Sequence, residues 1–362
     1  MPLVKPQTLA GSLLTVGYVG TRPTPSIQRA LRLGERAGVI FFKRNFESSD
    51  PVEVSRLLAS LQSNAPTRLF FAVDQEGGRV ARLGAPFLKL PPARTLARAE
   101  DTLLEHAGRL QARELSSVGF STAFSPVLDI HLHADNPVIG DRAFGSNAEA
   151  VSRAAILFAR GSREGGMLRC GKHFPGHGRT TTDSHLELPK LEVAFEELYA
   201  NEVRPFLDAS QAGFESFMSA HVLYSSMDTV PATLSYTIAT QLLRERIGFE
   251  GVLFSDDLEM KALSSRVEEN ALNAIVSGCD HLLVCSSEEY ADRVFDAIVR
   301  ELERSLAFRV RVEQATSRFS AMMAKLPPQR LRSDDEIRAL VGCEEHKTLE
   351  RVFENLHASA SV

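Results

Sequence analysis

The sequence has no surplus of positive charge, no long apolar run and no paired-cysteine motif, and each absence removes a class of function. Lys and Arg number 41 against 46 Asp and Glu, a formal charge of −5. No basic footprint therefore points to nucleic acid. No apolar stretch reaches the roughly 20 residues of a membrane-spanning helix, so no membrane partner is expected. The opening stretch MPLVKPQTLAGSLLTVGYVG lacks a clustered positive start, and its apolar part is interrupted by Gly and Thr. That reads as a first strand, not a signal peptide. Cys170, Cys279, Cys285 and Cys343 are scattered without a C-x-x-C, which fits reduced thiols and a cytoplasmic location. What is present is ordinary for a soluble globular chain of 362 residues, 44% hydrophobic and 24% charged, with enough apolar material for a sizeable core.

Short runs rich in Val, Ile, Leu and Phe recur at 12–20, 38–44, 68–75, 120–130, 167–174, 216–224, 251–257 and 281–285. Segments with helical spacing lie between many of them, such as PVEVSRLLASLQ, AEAVSRAAILFARGSREGG and EEYADRVFDAIVRELE. Strands alternating with helices pair in parallel, because each crossover helix returns the chain to the same edge. Eight such units predict an α/β chain folded as a (β/α)8 TIM barrel over residues 1–305, with a doubly wound open sheet as the alternative. Beyond 305 the pattern is helical and broken at Pro327-Pro328, with Ser333 and Glu336 spaced as a capping box. A helical extension over 306–362, packed on the barrel and frayed at its closing HASASV, is expected.

The polar residues Asp74, Asp129, Lys172, His173, His221 and Asp256 fall at or just after the C-terminal ends of these strands, where a barrel builds its site. Four segments hold the candidate chemistry. DQEGGRVAR (74–82) carries Asp74, Arg79 and Arg82 around two glycines, and a turn with solvated arginines is the plain alternative. NPVIGDRAFG (136–145) carries Arg142, where a surface ion pair would do equally well. KHFPGHGRTTTDSH (172–185) begins with Lys172 and His173. Pro175 and Gly176 interrupt the His173/His177 spacing, which argues against a helical metal pair. Asp183 and His185 at its end suit an acid–base dyad, since a carboxylate beside an imidazole orients the ring and favours its charged form. The Gly and Thr content suggests a mobile lid. In FSDDLEM (254–260), strand alternation sends Asp256 to one face and Asp257 to the other, so one can enter the site while the other caps the next helix.

With these motifs in hand, the chain resembles glycoside hydrolase family 3, in particular its single-domain bacterial β-N-acetylglucosaminidases. FFKRNFES, DQEGGRVAR, SPVLDI, NPVIGDRAFG, GKHFPGHG, DSH, MSAHVLY, VPATLS, FSDDLEM and SGCDHLLVC carry the resemblance in order over about residues 8–285. It implies retaining hydrolysis of terminal β-linked N-acetylglucosamine, with Asp256 as nucleophile and His185, paired with Asp183, as acid/base. Usual retaining designs use two carboxyl groups roughly 5 Å apart; here a histidine would replace one of them. The resemblance also implies sugar binding by Asp74, Arg82, Arg142, Lys172 and His173, no metal or organic cofactor, and a muropeptide substrate in peptidoglycan recycling. A monomer is the favoured state. Arg179 departs from the family pattern and is a candidate contact to the leaving group. A β-glucosidase, a glycosyl phosphorylase and a non-catalytic sugar-binding barrel are the competing readings.

Overall fold

A computed structural model describes residues 4–184, 186–263 and 265–358. Seven strands form one parallel sheet: β1 (Leu14–Val16), β2 (Gly38–Phe41), β3 (Phe70–Val73), β4 (Cys170–Phe174), β5 (Ser216–Ser219), β6 (Val252–Asp257) and β7 (His281–Val284). Their order across the sheet is β3-β2-β1-β7-β6-β5-β4, with Leu14 opposite Leu282 and Thr15 opposite Gly38. The sheet curls into a half-barrel. Helices begin where the sequence supplies a cap. Asp50 accepts from the amides of Val52 and Glu53 ahead of Pro51–Gln62, and Asn147 accepts from Ala150 ahead of Ala148–Glu164. Each cap satisfies an amide that the helix itself leaves without a partner.

Two local expectations change. The run 120–130 forms no strand; it meets its neighbours through single bridges, Thr122 to Ala72 and to Leu168, and Val127 to Lys172. Phe124 has φ 43°, outside the extended region, and Pro126 has no amide to give a ladder. An 18-residue helix, Asp101–Val118, separates this run from β3 and ends on Gly119 with φ 115°. The opening twenty residues are not all strand either, since Pro6–Ser12 is helical.

Alternation decides what each strand shows to the interior. Phe70 and Ala72 on β3, Cys170 on β4, Met218 on β5, Val252 and Phe254 on β6 and Leu283 on β7 share one apolar cluster. The intervening Phe71, Val73, Leu253, Leu282 and Val284 belong to the larger cluster that includes the surrounding helices. Continuing the inner series by two residues reaches Asp74 after Ala72, Lys172 after Cys170 and Asp256 after Phe254. The apolar series thus ends in three charged side chains at one end of the sheet.

The helix Leu306–Met323 reaches the same inner cluster with Phe319 and Met322, followed by Leu326. The Phe319 ring stacks on His281 with centroids 4.1 Å apart and meets Phe70 edge-on at 5.8 Å. Arg311 and Arg318 from this helix donate to the fully buried Asp280 at 2.9 and 3.1 Å. Ser333 and Glu336 form the capping box expected of them at Asp334–Leu340. Residues 359–362 of the HASASV end lie outside the described residues.

If Phe319 is part of the inner core, Phe319→Ala leaves a cavity against Phe70 and His281. A cost of about 3–5 kcal/mol is expected in urea unfolding, in one transition. A loss below about 1 kcal/mol would mean that the helix only rests on the sheet.

Candidate active site

Five charged groups interlock where the inner series ends. Lys172 Nζ, almost wholly buried, lies 2.9 Å from Asp74 Oδ1 and 2.6 Å from Glu76 Oε1. Arg142 grips Glu76 through two bonds of 2.8 Å, a bidentate geometry that fixes both planes. Arg82 reaches Asp74 at 3.1 Å. Burial alone would raise the two carboxyls. Lys172 and Arg82 outweigh it at Asp74, and Arg142 and Lys172 outweigh it at Glu76, so both are held below the ordinary carboxylate range. Burial would likewise neutralise Lys172, but Asp74 and Glu76 raise its pKa instead. The site is therefore lined with fixed charges.

Asp129, fully buried, organises the next layer. Its carboxylate faces His173 Nδ1 at 2.6 Å and accepts the amides of His173 at 3.2 Å and His177 at 2.6 Å. His177 stands 2.8 Å from Thr180 Oγ1 and 3.0 Å from Ser184 Oγ. Asn136 accepts the amides of Val138 and Ile139 and donates to the carbonyl of His177. Gly178 lies against the Ile130 carbonyl with no room for a Cβ. The stretch 172–180 is consequently pinned, contrary to a lid that spans it all. Any lid is confined to the residues after Thr180.

Asp256 and Asp257 close β6. Burial raises Asp256, and His221, His173, the Asp257 amide and Lys172 more than compensate, leaving it below the ordinary range. Asp257 goes the other way: burial and the nearby Glu259 charge push it up to about 7. Asp257 does not cap the next helix. Its Oδ1 accepts from the amides of Glu259 at 3.1 Å and Cys285 at 3.2 Å, closing the turn after β6 onto the end of β7.

One cavity of about 300 Å³ is lined by Asp74, Arg82, Arg142, Lys172, His173, Asp183 and Asp256 together. Seven residues singled out from four separate motifs thus share one space. His185 lies outside the described residues. Arg179 is turned to other work: its guanidinium bonds the buried Glu202 at 2.7 Å and Glu197 at 2.9 Å, so it is not held out for a leaving group. In the sequence, Glu76 and His177 are not singled out as members of the site, and Asp129 is placed at a strand end there without a role. Glu76 stands two residues after Asp74, and same-face spacing could have flagged it. No local pattern gives Asp129 its partners, and the His173/His177 spacing by itself suggests only a metal pair.

The geometry is matched by kinship. The model of the glycosyl hydrolase family 3 N-terminal domain matches residues 9–321. The chain belongs to glycosyl hydrolase family 3. A beta-hexosaminidase of Neisseria gonorrhoeae is 38% identical over 316 residues, covering 82% of this chain and 87% of that protein. One from Methylobacillus flagellatus is 38% identical over 296 residues, 79% of this chain and 83% of its own. Among solved structures, Neisseria gonorrhoeae NagZ in complex with N-trifluoroacetyl-D-glucosamine superposes with a TM-score of 0.81 at 32% identity, covering 96% of this chain and 98% of that one. Membership in family 3 accounts for the clustering of the four motifs around one cavity.

His177 gives this site a pH signature. Burial pushes it down to about 4 from 6.5. Between those values the unfolded chain takes up a proton that the folded ring refuses, so stability falls as pH drops from about 6.5 to about 4. Amide exchange across 177–187, corrected for intrinsic rate, is expected to quicken over that window, and His177→Asn to remove most of the pH dependence. Constant protection in the wild type would show that the ring does not hold the loop.

Proposed function

We propose that this chain is a retaining β-N-acetylhexosaminidase. It removes terminal, non-reducing β-linked N-acetylglucosamine, with N-acetylglucosaminyl-anhydromuramyl peptides of peptidoglycan recycling as substrate. The observation that carries this reading is that Asp256, which its surroundings hold below the ordinary carboxylate range, shares one cavity with Asp183 and the Asp74–Lys172–Glu76–Arg142 network. The beta-hexosaminidase relatives and the aminosugar-bound structural neighbour support the substrate class.

In the proposed cycle the Asp256 carboxylate attacks the anomeric carbon. The bond to the leaving oxygen breaks as His185 gives that oxygen a proton, and a glycosyl ester forms on Asp256. Water then attacks the same carbon, His185 takes its proton, and the Asp256 carboxylate is released. A carboxylate kept below the ordinary range suits both halves, because it is ionised to attack and is a good leaving group afterwards. Asp183 orients the His185 ring and favours its charged form. Asp74, Arg82, Arg142, Lys172 and His173 hold the sugar, and their mutual bonds fix their geometry before it arrives.

The same proposal takes the scaffold as a (β/α)8 barrel whose eighth stave is the irregular 120–127 run. It keeps a division at 305/306, with Leu306–Met323 plugging the barrel from the extension side. It needs no metal or organic cofactor, and it places the enzyme in the cytoplasm as a monomer.

Two measurements bear on the catalytic pair. Asp256→Asn should lower turnover by several orders of magnitude while the fold survives, and a fluorinated slow substrate should label Asp256. Labelling of Asp257 would reverse the assignment. His185→Ala should depress kcat/KM about 10²–10⁴-fold on a natural disaccharide and far less on an activated aryl glycoside, which leaves with little help. Equal losses on both would remove the acid role. Running the natural substrate with and without phosphate separates hydrolysis from phosphorolysis by its product.

A further inference from the structure

The hairpin that follows Asp74 and carries Glu76 has a second side. Its strands, Gln75–Gly77 and Val80–Ala81, pair antiparallel, and alternation divides their residues between two cavities. Asp74, Glu76, Arg79 and Val80 line the active-site cavity. Gln75, Gly77, Gly78 and Ala81 line another, of about 740 Å³, and Arg82 lines both. The far wall of this second cavity comes from the segment 83–90 and from the helix Glu344–Ala358. None of the roles above uses it.

Two features of the wall favour a polar, acidic occupant. Gln111 and His346 are almost wholly buried in it. His346 Nδ1 stands 2.6 Å from Glu114 Oε1, but its Nε2 and the Gln111 amide nitrogen have no hydrogen-bond partner among the described residues. Unmatched buried polar atoms are costly, and a polar occupant offers them what an apolar one cannot. The second feature is charge. Lys43, Lys89 and Lys347 line the cavity against two carboxylates, Glu47 and Glu350. Glu350 already accepts the Lys89 amide at 2.7 Å, and Glu47 the Thr21 hydroxyl at 3.2 Å. Lys347 comes no nearer than 3.9 Å to a carboxylate, that of Glu344, and Lys43 and Lys89 have no ion pair among the described residues.

We propose that this second cavity binds a peptide bearing free carboxylates, and that this peptide is the outer part of the leaving group. The idea rests on the reaction proposed above, in which a muropeptide is cut at its terminal aminosugar. In that reaction the sugar occupies the active-site cavity, of about 300 Å³, and everything beyond the severed bond lies outside it. Arg82 is where the two spaces meet: it is bonded to Asp74 and lines both cavities. A peptide passing over Arg82 brings its carboxylates to the three lysines and its backbone polar groups to Gln111 and His346. The size of the cavity is that of an ordinary small-ligand site.

The test compares an N-acetylglucosaminyl-anhydromuramyl tripeptide, the same compound with its carboxyl groups amidated, and chitobiose, which has no peptide. In the wild type at low salt, kcat/KM is expected to be several-fold higher for the free acid than for the amide, and added salt should shrink that difference. In Lys89→Glu/Lys347→Glu, kcat/KM for the free acid should fall about tenfold, through KM and not kcat, with chitobiose unchanged. A variant that loses equally on chitobiose, or a wild type indifferent to amidation, overturns the proposal. The amidated substrate needs no variant, so it decides the matter if the double variant does not fold. Binding is read separately. Anhydromuramyl tripeptide should shift the side-chain amide signal of Gln111, identified by its loss in Gln111→Met, and no shift at concentrations above the KM of the parent substrate also overturns the proposal. If no N-acetylglucosaminyl substrate is cut, the hydrolase reading fails, while the Gln111 signal still reports whether the cavity takes the peptide.

Discussion

A lysine ammonium shut away from water is tolerable only among carboxylates, and the active end of this sheet is arranged around that requirement. Lys172 is drawn to Asp74 and Glu76, which sit just after a different strand. Those carboxylates in turn bind Arg82 and Arg142, and Arg142 comes from the loop that follows the irregular 120–130 run. Three separate stretches of chain are thereby tied to one buried cation. Removing a single partner would leave a buried charge unmatched, a far larger penalty than losing a surface ion pair. In the proposed function these groups meet the sugar's hydroxyls, and their mutual bonds leave little reorganisation for the moment of binding.

Asp129 does for the loops what Lys172 does for the strand ends. It takes two backbone amides and one imidazole, and so fixes both the turn after β4 and the ring of His173. Through His177 and Asn136 the same hold extends to Ser184 and to the 136–142 loop. The hold thus reaches the residue next to Asp183, whose own carbonyl accepts the amides of Leu186 and Glu187.

The strand-borne part of this site was legible in the sequence because period-two alternation is a strict rule. Phe70, Ala72 and Asp74, or Val252, Phe254 and Asp256, share a face wherever a strand runs, and one apolar face implies that its final charged member enters the mouth. Irregular backbone gave no such handle. The run at 120–130 has a strand's composition, but Phe124 and Pro126 break it, and only the fold reveals that single bridges suffice there. The helix Asp101–Val118 carries a weak apolar pattern, since several of its buried positions are polar; Gln111, Glu114 and Ser117 are buried with its leucines. Arg179 and Glu76 show the limit from two sides. Whether a charged residue meets a ligand or another residue depends on partners distant in sequence, Glu202 for one and Arg142 for the other. The family resemblance supplied roles for Asp256 and His185, which residue patterns alone left among alternatives.

The aromatic packing under the mouth has a consequence for traffic. Phe70 stacks on Phe254 and meets Phe319 edge-on in the apolar cluster below the charged rim. Aromatic packing of this kind suits a chain end better than a threaded polymer, in keeping with the end-wise hydrolysis proposed above. In that cycle the severed leaving group would depart from the rim first, and the sugar held nearer the aromatic packing would follow it.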